Sequence, residues 1–214
     1  MTAKNPESQH LGAERGAGLR KRAGEGAEPR LAVDRIRKTA RELFYREGIR
    51  AVGVDEIVTR AGVTKPSLYR NFSSKDELAA AYLRDYDGEF WARFEHSVAL
   101  HPGDPKAQIL DYLGGLAVRS QRCDYRGCGL SNAALEYPAH DHPARLVAEE
   151  HKHRLRVRLL EMAKGMGAKR PEALADGLLL LIEGVFVTGQ LFGEGGPAMH
   201  AVENAEALIE ASRK

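Results

Sequence analysis

Hydrogen-bond donors are concentrated in one short segment, AGVTKPSLYRNFSSKDEL, which covers residues 61–78. The donors in its middle are Lys65, Ser67, Tyr69 and Arg70. Such side chains suit nucleic acids, because cations and hydroxyls donate to phosphate oxygens and lysine, arginine and serine also donate to base edges. Leu68 and Phe72, four residues apart, would turn the other face of a helix toward a core. The spacing therefore predicts a short helix with one buried side and one donor-rich side.

The residues before this helix predict how it is positioned. A helix from about Val54 to Arg60 leads to a turn at Gly62, and Thr64 can cap the next helix, which has Pro66 in its first turn. Two helices joined by a glycine-containing turn form a helix-turn-helix, which places its second helix in the major groove of DNA. The side chains expected in the groove are Lys65, Ser67, Tyr69 and Arg70, and those expected on phosphate are Thr64 and Lys75.

Apolar periodicity extends the motif into an all-α chain. Apolar residues recur every three or four positions from Leu31 to Phe44, and Gly48 is placed to end that helix. After the motif, Ser73 or Ser74 is expected to cap a long helix with Asp76 in its first turn. Further helices are predicted near residues 105–122, 128–137, 143–165, 171–193 and 199–212. No segment alternates as a β-strand would, so we predict about nine helices.

Composition and charge divide the chain into three parts: a basic arm (1–30), a helix-turn-helix head (31–77) and a helical body (78–214). The arm has too few large apolar side chains to offset the entropy of ordering, so we expect disorder. Its Arg20-Lys21-Arg22 patch would contact a nucleic-acid backbone or remain solvated. Residues 31–80 carry ten Lys/Arg against seven Asp/Glu, whereas residues 81–214 carry sixteen against nineteen. The N-terminal part is therefore the one expected to meet an anion.

The segment ARELFYREGIRAVGVDEIVTRAGVTKPSLYRNFSSKDELAAAYL (40–83) resembles the N-terminal domain of the TetR family of transcriptional regulators. The matching positions are Phe44, Gly48, Ile57, Ala61-Gly62-Val63, Leu68-Tyr69, Phe72 and Lys75. The resemblance implies a homodimer with a three-helix DNA-binding head and a helical body that binds a small-molecule inducer. It leads us to expect a repressor that a small molecule releases from a palindromic operator, without enzymatic activity and without a cofactor.

One position departs from the family pattern. Before the second helix the family usually has two threonines, one of which caps the helix and contacts phosphate through its hydroxyl. This chain has Val52-Gly53 there. Glycine is an acceptable cap, so we expect the helix to form and the hydroxyl contact to be lost.

The body contains the residues expected to form a dimer and an effector cavity. Residues 174–192 are apolar around most of a helix, which must therefore be covered on nearly every side. The last helix adds Met199, Val202, Ala205, Leu208 and Ile209, and we expect these two helices to pack against their copies in a second subunit, although burial within one chain is the alternative. The aromatic candidates for an effector cavity, which are also candidates for plain core packing, are Trp91, Phe94, Tyr112, Tyr125 and Phe186.

The cysteines and histidines suggest other functions. Cys128 stands where a helix should begin, which would favour a thiolate that senses oxidants with Cys123 as its partner; packing as a small apolar residue is the simpler interpretation. The histidines His140, His142, His151 and His153 match no strong zinc signature, so we predict no metal site. A helical enzyme or an adaptor without operator binding is the alternative from another class.

The chain also carries signals about its location. Its apolar run from Leu178 to Phe192 is short for a membrane span and is interrupted by Glu183 and two glycines. The N-terminus lacks the continuous apolar stretch of a signal peptide. We therefore expect a cytoplasmic protein with no membrane partner.

Overall fold

The computed structural model describes residues 27–213. Its helices are α1 (Ala27–Glu47), α2 (Val54–Ala61), α3 (Lys65–Asn71), α4 (Lys75–Leu100), α5 (Pro105–Ser120), α6 (Gly129–Glu136), α7 (Pro143–Gly165), α8 (Pro171–Phe192) and α9 (Ala201–Arg213), with a 3₁₀ turn (Pro197–His200) before α9. No residue in this range belongs to a β-strand. The prediction of an all-α fold with nine helices is confirmed.

Two predicted boundaries differ from the structure. The first helix begins at Ala27, so the end of the predicted arm belongs to α1. The remainder of that arm, with its Arg20-Lys21-Arg22 patch, lies outside the described residues. The last helix, predicted at 199–212, begins at Ala201. The reason is local: the glycine-rich residues 193–196 follow α8, and Pro197 then starts a separate 3₁₀ turn that includes Met199.

The head is held together by one apolar core and one glycine turn. Helices α1, α2 and α3 bury large side chains against each other and against the start of α4; these are Ile36, Leu43, Phe44, Ile49, Val52, Ile57, Leu68 and Leu78. At the α2–α3 turn, Gly62 has φ of 62° and its N–H donates to the last carbonyls of α2. Glycine adopts this left-handed conformation without steric cost, so it sets the direction in which the chain enters α3.

Helix α4 belongs to both the head and the body. Its cap is Ser74, whose Oγ accepts from the Glu77 N–H at 3.1 Å, and the Glu77 carboxylate accepts from the Ser73 N–H at 2.5 Å. Near its start, Tyr82 packs against Phe44 of α1 with ring centroids 5.7 Å apart. Further along, Phe90 is buried in the body, where it contacts aromatic rings of α5 and α7. A single helix therefore links the two cores.

Helix α8 is central in the body because two of its glycines allow close packing. A Cβ at Gly189 would lie 2.4 Å from Ser120 Cβ on α5, and a Cβ at Gly177 would lie 2.8 Å from Leu208 Cδ2 on α9. Real Cβ atoms do not approach other heavy atoms so closely. A larger residue at Gly189 would push α5 away from α8, because Ser120 Cβ is fixed to the backbone, whereas one at Gly177 would require the Leu208 side chain to shift.

Much of the apolar face of α9 packs within its own chain, and the expectation that this helix also meets a second subunit stays a prediction. Ala205 and Ile209 are fully buried, and Val202 and Leu208 are half-buried. The outward side of this 13-residue helix is charged or small, and Lys106 of α5 pairs with Glu206 there at 3.0 Å. The groove between α5 and α8 takes up its apolar side chains, so of the two helices predicted for the interface α8 alone retains a large exposed apolar face.

One helix in the described range, α8, is long and apolar enough to cross a membrane by length and composition. It packs against α5, α7 and α9. Its buried side, which includes Leu178, Ile182 and Phe186, belongs to the core of the body.

The contact at Gly189 can be tested by comparing two glycine-to-alanine substitutions. Gly189→Ala should lower the free energy of unfolding by about 1–3 kcal/mol, because the added methyl group meets Ser120. Gly88→Ala is the matched control: a Cβ added at this α4 position would have no heavy atom within 4 Å. There alanine should raise stability by about 0.5–1 kcal/mol through helix propensity alone. Urea denaturation at one fixed protein concentration measures both, and equal effects would contradict the close-packing argument.

Candidate functional site

The outer face of α3 carries the predicted DNA-contacting residues. Lys65, Tyr69 and Arg70 are exposed, Ser67 is half-buried, and Leu68 between them is fully buried in the head core. The register predicted from the sequence is therefore the one observed. The side chains on this face can donate hydrogen bonds to phosphates and to base edges.

Thr64 begins this helix as predicted. Its Oγ1 accepts from the Ser67 N–H at 3.4 Å, and its backbone is extended, as in other caps. The hydroxyl proton of Thr64 remains a donor to solvent or to an anion, because the cap uses Oγ1 as an acceptor. At the other end of α3, the Asn71 amide donates to the Ser67 carbonyl at 2.8 Å and covers the last turn.

Lys65 has an acidic neighbour that the sequence analysis missed. Its Nζ lies 2.7 Å from Asp55 Oδ1 on α2, and both side chains are exposed. The hydrogen bond to Asp55 raises the pKa of Lys65, so the ammonium is charged at neutral pH. The ten-residue separation of Asp55 and Lys65 follows neither helical nor turn spacing. Only the packing of α2 against α3 brings them together.

Lys75 differs from the other predicted contacts because it is half-buried. Its Nζ lies 3.4 Å from the Arg50 carbonyl oxygen, so it ties the start of α4 to the loop after α1. Burial lowers the pKa of Lys75. A phosphate contact by this residue would have to replace or share the bond to the Arg50 carbonyl.

The structure shows how α2 is capped at Val52-Gly53, where the sequence departs from the family pattern. Val52 is fully buried in the head core, and Gly53 caps α2 with extended backbone and no side-chain hydrogen bond. Glycine therefore serves as the cap, as expected, and no hydroxyl is present at this corner of the head. A Cβ at Gly53 would have no heavy atom within 4 Å, so the position has room for a larger residue.

Ion pairs join the head to the body along α1 and α4. Arg37 pairs with Asp85 and Arg41 pairs with Glu89, each through two hydrogen bonds. The partners are four residues apart on both helices, so the pairs form a ladder. Exposed pairs of this kind contribute little stability, about 0–1 kcal/mol each, but bidentate geometry fixes the relative position of the two helices.

A second contact connects the head with α6. The Arg50 N–H donates to the Glu136 carboxylate at 2.7 Å, and Glu136 also lies against Gly48, whose φ is 92°. The loop between α1 and α2 therefore rests on the C-terminal end of α6. Any movement of α6 would act directly on this loop.

A cavity of about 360 Å³ lies between α1, α4, α5, the loop after α5 (121–128) and α8; we call it the interdomain cavity. Of the five predicted aromatic residues, Tyr112, Tyr125 and Phe186 line it. Trp91 and Phe94 do not: they pack with Phe90 in an aromatic core beside it. Spacing alone could not separate the two groups, because adjacent turns of α4 face the cavity and the core.

The two cysteines lie in different surroundings. Cys128 caps α6, as predicted, but it is 1% exposed, and its Sγ lies 3.6 Å from Lys152 Nζ. Cys123 is exposed in the loop after α5. Cys128 is thus a packed core residue, which agrees with the simpler interpretation of this thiol.

The histidines are dispersed. His142 caps α7 by accepting from the Ala144 N–H, His140 contacts Glu149, and His153 is exposed. His151 is buried, contacts Asp87 at 2.7 Å, and has its pKa lowered to about 4 by burial. Among residues 27–213 no group of three His, Cys, Asp or Glu side chains could hold a metal ion.

Comparison with known proteins identifies the head. The family model for bacterial regulatory proteins of the tetR family matches residues 36–82, which contain most of α1, all of α2 and α3, and the start of α4. A solved TetR-family transcriptional regulator from Streptomyces coelicolor superposes with a TM-score of 0.79 at 28% identity, over 86% of this chain and 97% of that one. The chain belongs to the TetR family. This agrees with the resemblance in residues 40–83.

The curated relatives match over short segments. The HTH-type transcriptional activator FasR of Mycolicibacterium smegmatis is 56% identical over 45 residues, which are 21% of this chain and 20% of FasR. The HTH-type transcriptional repressor KstR2 of Mycobacterium tuberculosis is 35% identical over 81 residues, 38% of each chain. The aligned segments thus span one-fifth to two-fifths of these relatives. Both are named as HTH-type transcriptional regulators, one an activator and one a repressor, which argues against the enzyme alternative.

The open space beside Gly53 allows a test of how the head contacts DNA. Gly53→Thr should raise stability by about 0.5 kcal/mol, because threonine can cap α2 and has less freedom than glycine when unfolded. It should also tighten binding to a DNA fragment selected by the wild-type protein. Gly53→Val is the matched control, since valine has the shape of threonine without the hydroxyl. Equal affinities of the two variants in a fluorescence-anisotropy titration would show that no hydroxyl contact forms at this position.

Proposed function

We propose that this protein is a homodimeric transcriptional repressor that binds a palindromic operator through α3 and is released by a small-molecule effector. The observation that carries the proposal is the exposed donor face of α3, held in a TetR-family head by the turn at Gly62. A regulator of chromosomal DNA acts in the cytoplasm, and we place it there.

The contacts proposed in the major groove are those of Lys65, Ser67, Tyr69 and Arg70. Lys65 is held at the N-terminal end of α3 by Asp55, which keeps its ammonium near the surface that would face the bases. On DNA, a base or phosphate oxygen would replace Asp55, because the duplex brings a high density of acceptors. Thr64 and Lys75 are proposed to contact phosphates at the two ends of α3.

A dimer is supported by the exposed face of α8. Leu180, Val187 and Leu191 lie on one side of this helix and are 72%, 52% and 71% exposed. Gly184 lies between them, and a Cβ added there would meet no heavy atom within 4 Å. A glycine inside an exposed helix costs about 0.5–1 kcal/mol relative to alanine, but it permits close approach of a second helix. Two copies of α8 crossing at Gly184 would cover this apolar face and supply two α3 helices for two half-sites.

An effector would act through the interdomain cavity. Helix α1 lines the cavity, forms the ion-pair ladder with α4 and belongs to the head core. A ligand that binds one arrangement of these helices better than the other shifts the population of DNA-competent dimers.

The DNA-contacting role of α3 predicts selective effects of two substitutions. Lys65→Ala should weaken operator binding roughly tenfold without unfolding the head, because its side chain is exposed. Arg70→Ala should weaken binding as well, and should reduce the slope of log affinity against log salt by about one if Arg70 contacts phosphate. Lys164→Ala removes the same charge from an exposed position of the body and is the control. Unchanged operator affinity in Lys65→Ala would count against this docking.

The dimer face predicts a change of oligomeric state. Val187→Glu should give monomers and abolish operator binding, because a buried unpaired carboxylate beside Gly184 opposes packing of α8 on its copy. Leu100→Glu places the same charge at an equally exposed apolar position at the end of α4 and should leave the dimer intact. Light scattering after size-exclusion chromatography measures both. If the Val187→Glu variant remains a dimer, the dimer interface does not include this face of α8.

The function itself is tested by selection from genomic DNA. The purified protein is incubated with sheared genomic DNA from its source at moderate salt, and the retained fragments are sequenced. Two inverted half-sites are expected, with retention that falls steeply as salt increases. If the folded protein enriches no site, the operator-binding proposal fails.

A further inference from the structure

The interdomain cavity contains a half-buried arginine, Arg119, that forms no ion pair within the described part of the chain. Arg119 is half-buried on α5 with its guanidinium 5.9 Å from the centre of the Tyr112 ring, and no Asp or Glu of residues 27–213 lies within ion-pair distance of it. Burial lowers the pKa of Arg119, and the neighbouring Arg93 acts in the same direction. A half-buried guanidinium without a counterion is unfavourable, and an anion bound beside it would offset that cost.

The charged side chains at the cavity leave a positive balance. Five arginines and three carboxylates line it, which gives a net charge of +2. Glu89 is shared between Arg41, through two hydrogen bonds, and Arg93, at 3.6 Å, and Arg122 pairs with Asp124 at 3.0 Å. Arg46 is exposed on α1, so Arg119 is the half-buried arginine of the cavity without an ion pair among the residues that the structure describes.

The four tyrosine hydroxyls near the cavity belong to its protein wall. Tyr45 and Tyr86 both donate to the Gly127 carbonyl, at 3.3 and 3.2 Å. The hydroxyls of Tyr82 and Tyr125 are buried and have no hydrogen-bond partner in the part of the chain that the structure describes. Burial raises the pKa of both, so they are protonated at neutral pH. None of these hydroxyls adds a negative charge that could neutralise Arg119.

The remaining wall is aromatic and apolar. The rings of Tyr112, Phe90 and Phe186 and the aliphatic side chain of Leu116 line a volume of about 360 Å³, which is near the lower end for cavities that hold small ligands. Aromatic rings pack favourably against another ring in stacked or edge-to-face geometry. The cavity thus combines an unpaired cation with a wall suited to a flat apolar group.

We propose that the interdomain cavity binds a small aromatic carboxylate, with its carboxylate at Arg119 and its ring among the aromatic side chains. This inference rests on the proposed function, because the bound acid would be the effector. An acid held there lies against α1 and α4, the two helices joined by the Arg41–Glu89 pair. It would therefore favour one spacing of these helices and, through α1, one arrangement of the heads.

The test is calorimetric titration of the full-length protein with phenylacetate, 3-indoleacetate and 4-hydroxybenzoate, each compared with its uncharged amide. At least one acid should bind, and its amide should bind roughly tenfold or more weakly, because a charge-assisted bond is lost. Arg119→Met, which keeps an unbranched side chain without its charge, should lower the affinity for the acid by a similar factor. The affinity for the amide should not change. Arg46→Gln removes a charge from the exposed mouth and should bind the acid like the wild type.

The outcomes separate this inference from the operator-binding proposal. Binding of none of the acids, equal binding of acid and amide, or wild-type affinity in a folded Arg119→Met variant would overturn the inference. Retention of operator DNA is measured separately on the same preparation. If the protein binds operator DNA but none of the acids, the repressor proposal stands and the ligand inference fails. If it binds an acid but selects no operator, the ligand inference stands and the repressor proposal fails.

Discussion

The structure depends on the continuity of α4 through two hydrophobic cores. This helix has 26 residues and a length of roughly 39 Å, with its start buried in the head and its middle buried in the body. Because α4 is one uninterrupted helix, it is the element through which an effector in the body would be expected to act on the head. The ion-pair ladder to α1 and the contact of Arg50 with Glu136 attach the head to the body at two further points.

The body places its glycines where helices need to approach one another. Gly177 and Gly189 face α9 and α5, which pack so closely that a methyl group would not fit without a shift of the neighbouring residue, whereas Gly184 faces outward between exposed apolar side chains. The same helix therefore supports the internal core on one side and the proposed dimer contact on the other. This arrangement explains why α8 is apolar around most of its circumference although it belongs to a helical bundle that is exposed to water.

The head shows how a small recognition surface is kept accessible. Its short α3 helix has one fully buried anchor, Leu68, and could not be stable alone, since isolated helices of this length are marginal in water. The cap at Thr64, the turn at Gly62 and the packing of α1 and α2 hold it instead. The exposed positions of α3 are thereby released from any structural role and can carry donors for another molecule.

The sequence by itself determined the helices, the turn and the family, because caps, glycine turns and apolar periodicity each depend on only a few neighbouring residues. Thr64, His142 and the register of Leu68 and Phe72 were predictable for this reason. Tertiary structure decided what depends on residues distant in the chain: the Lys65–Asp55 pair, the packing of α9 on its own chain, and the separation of Trp91 and Phe94 from the cavity. The charges of the cavity show this dependence on tertiary structure most clearly. Arg119 lacks a counterion because Arg41, Arg93 and Arg122 already occupy the nearby carboxylates, and only the packing of three helices and a loop places those groups together.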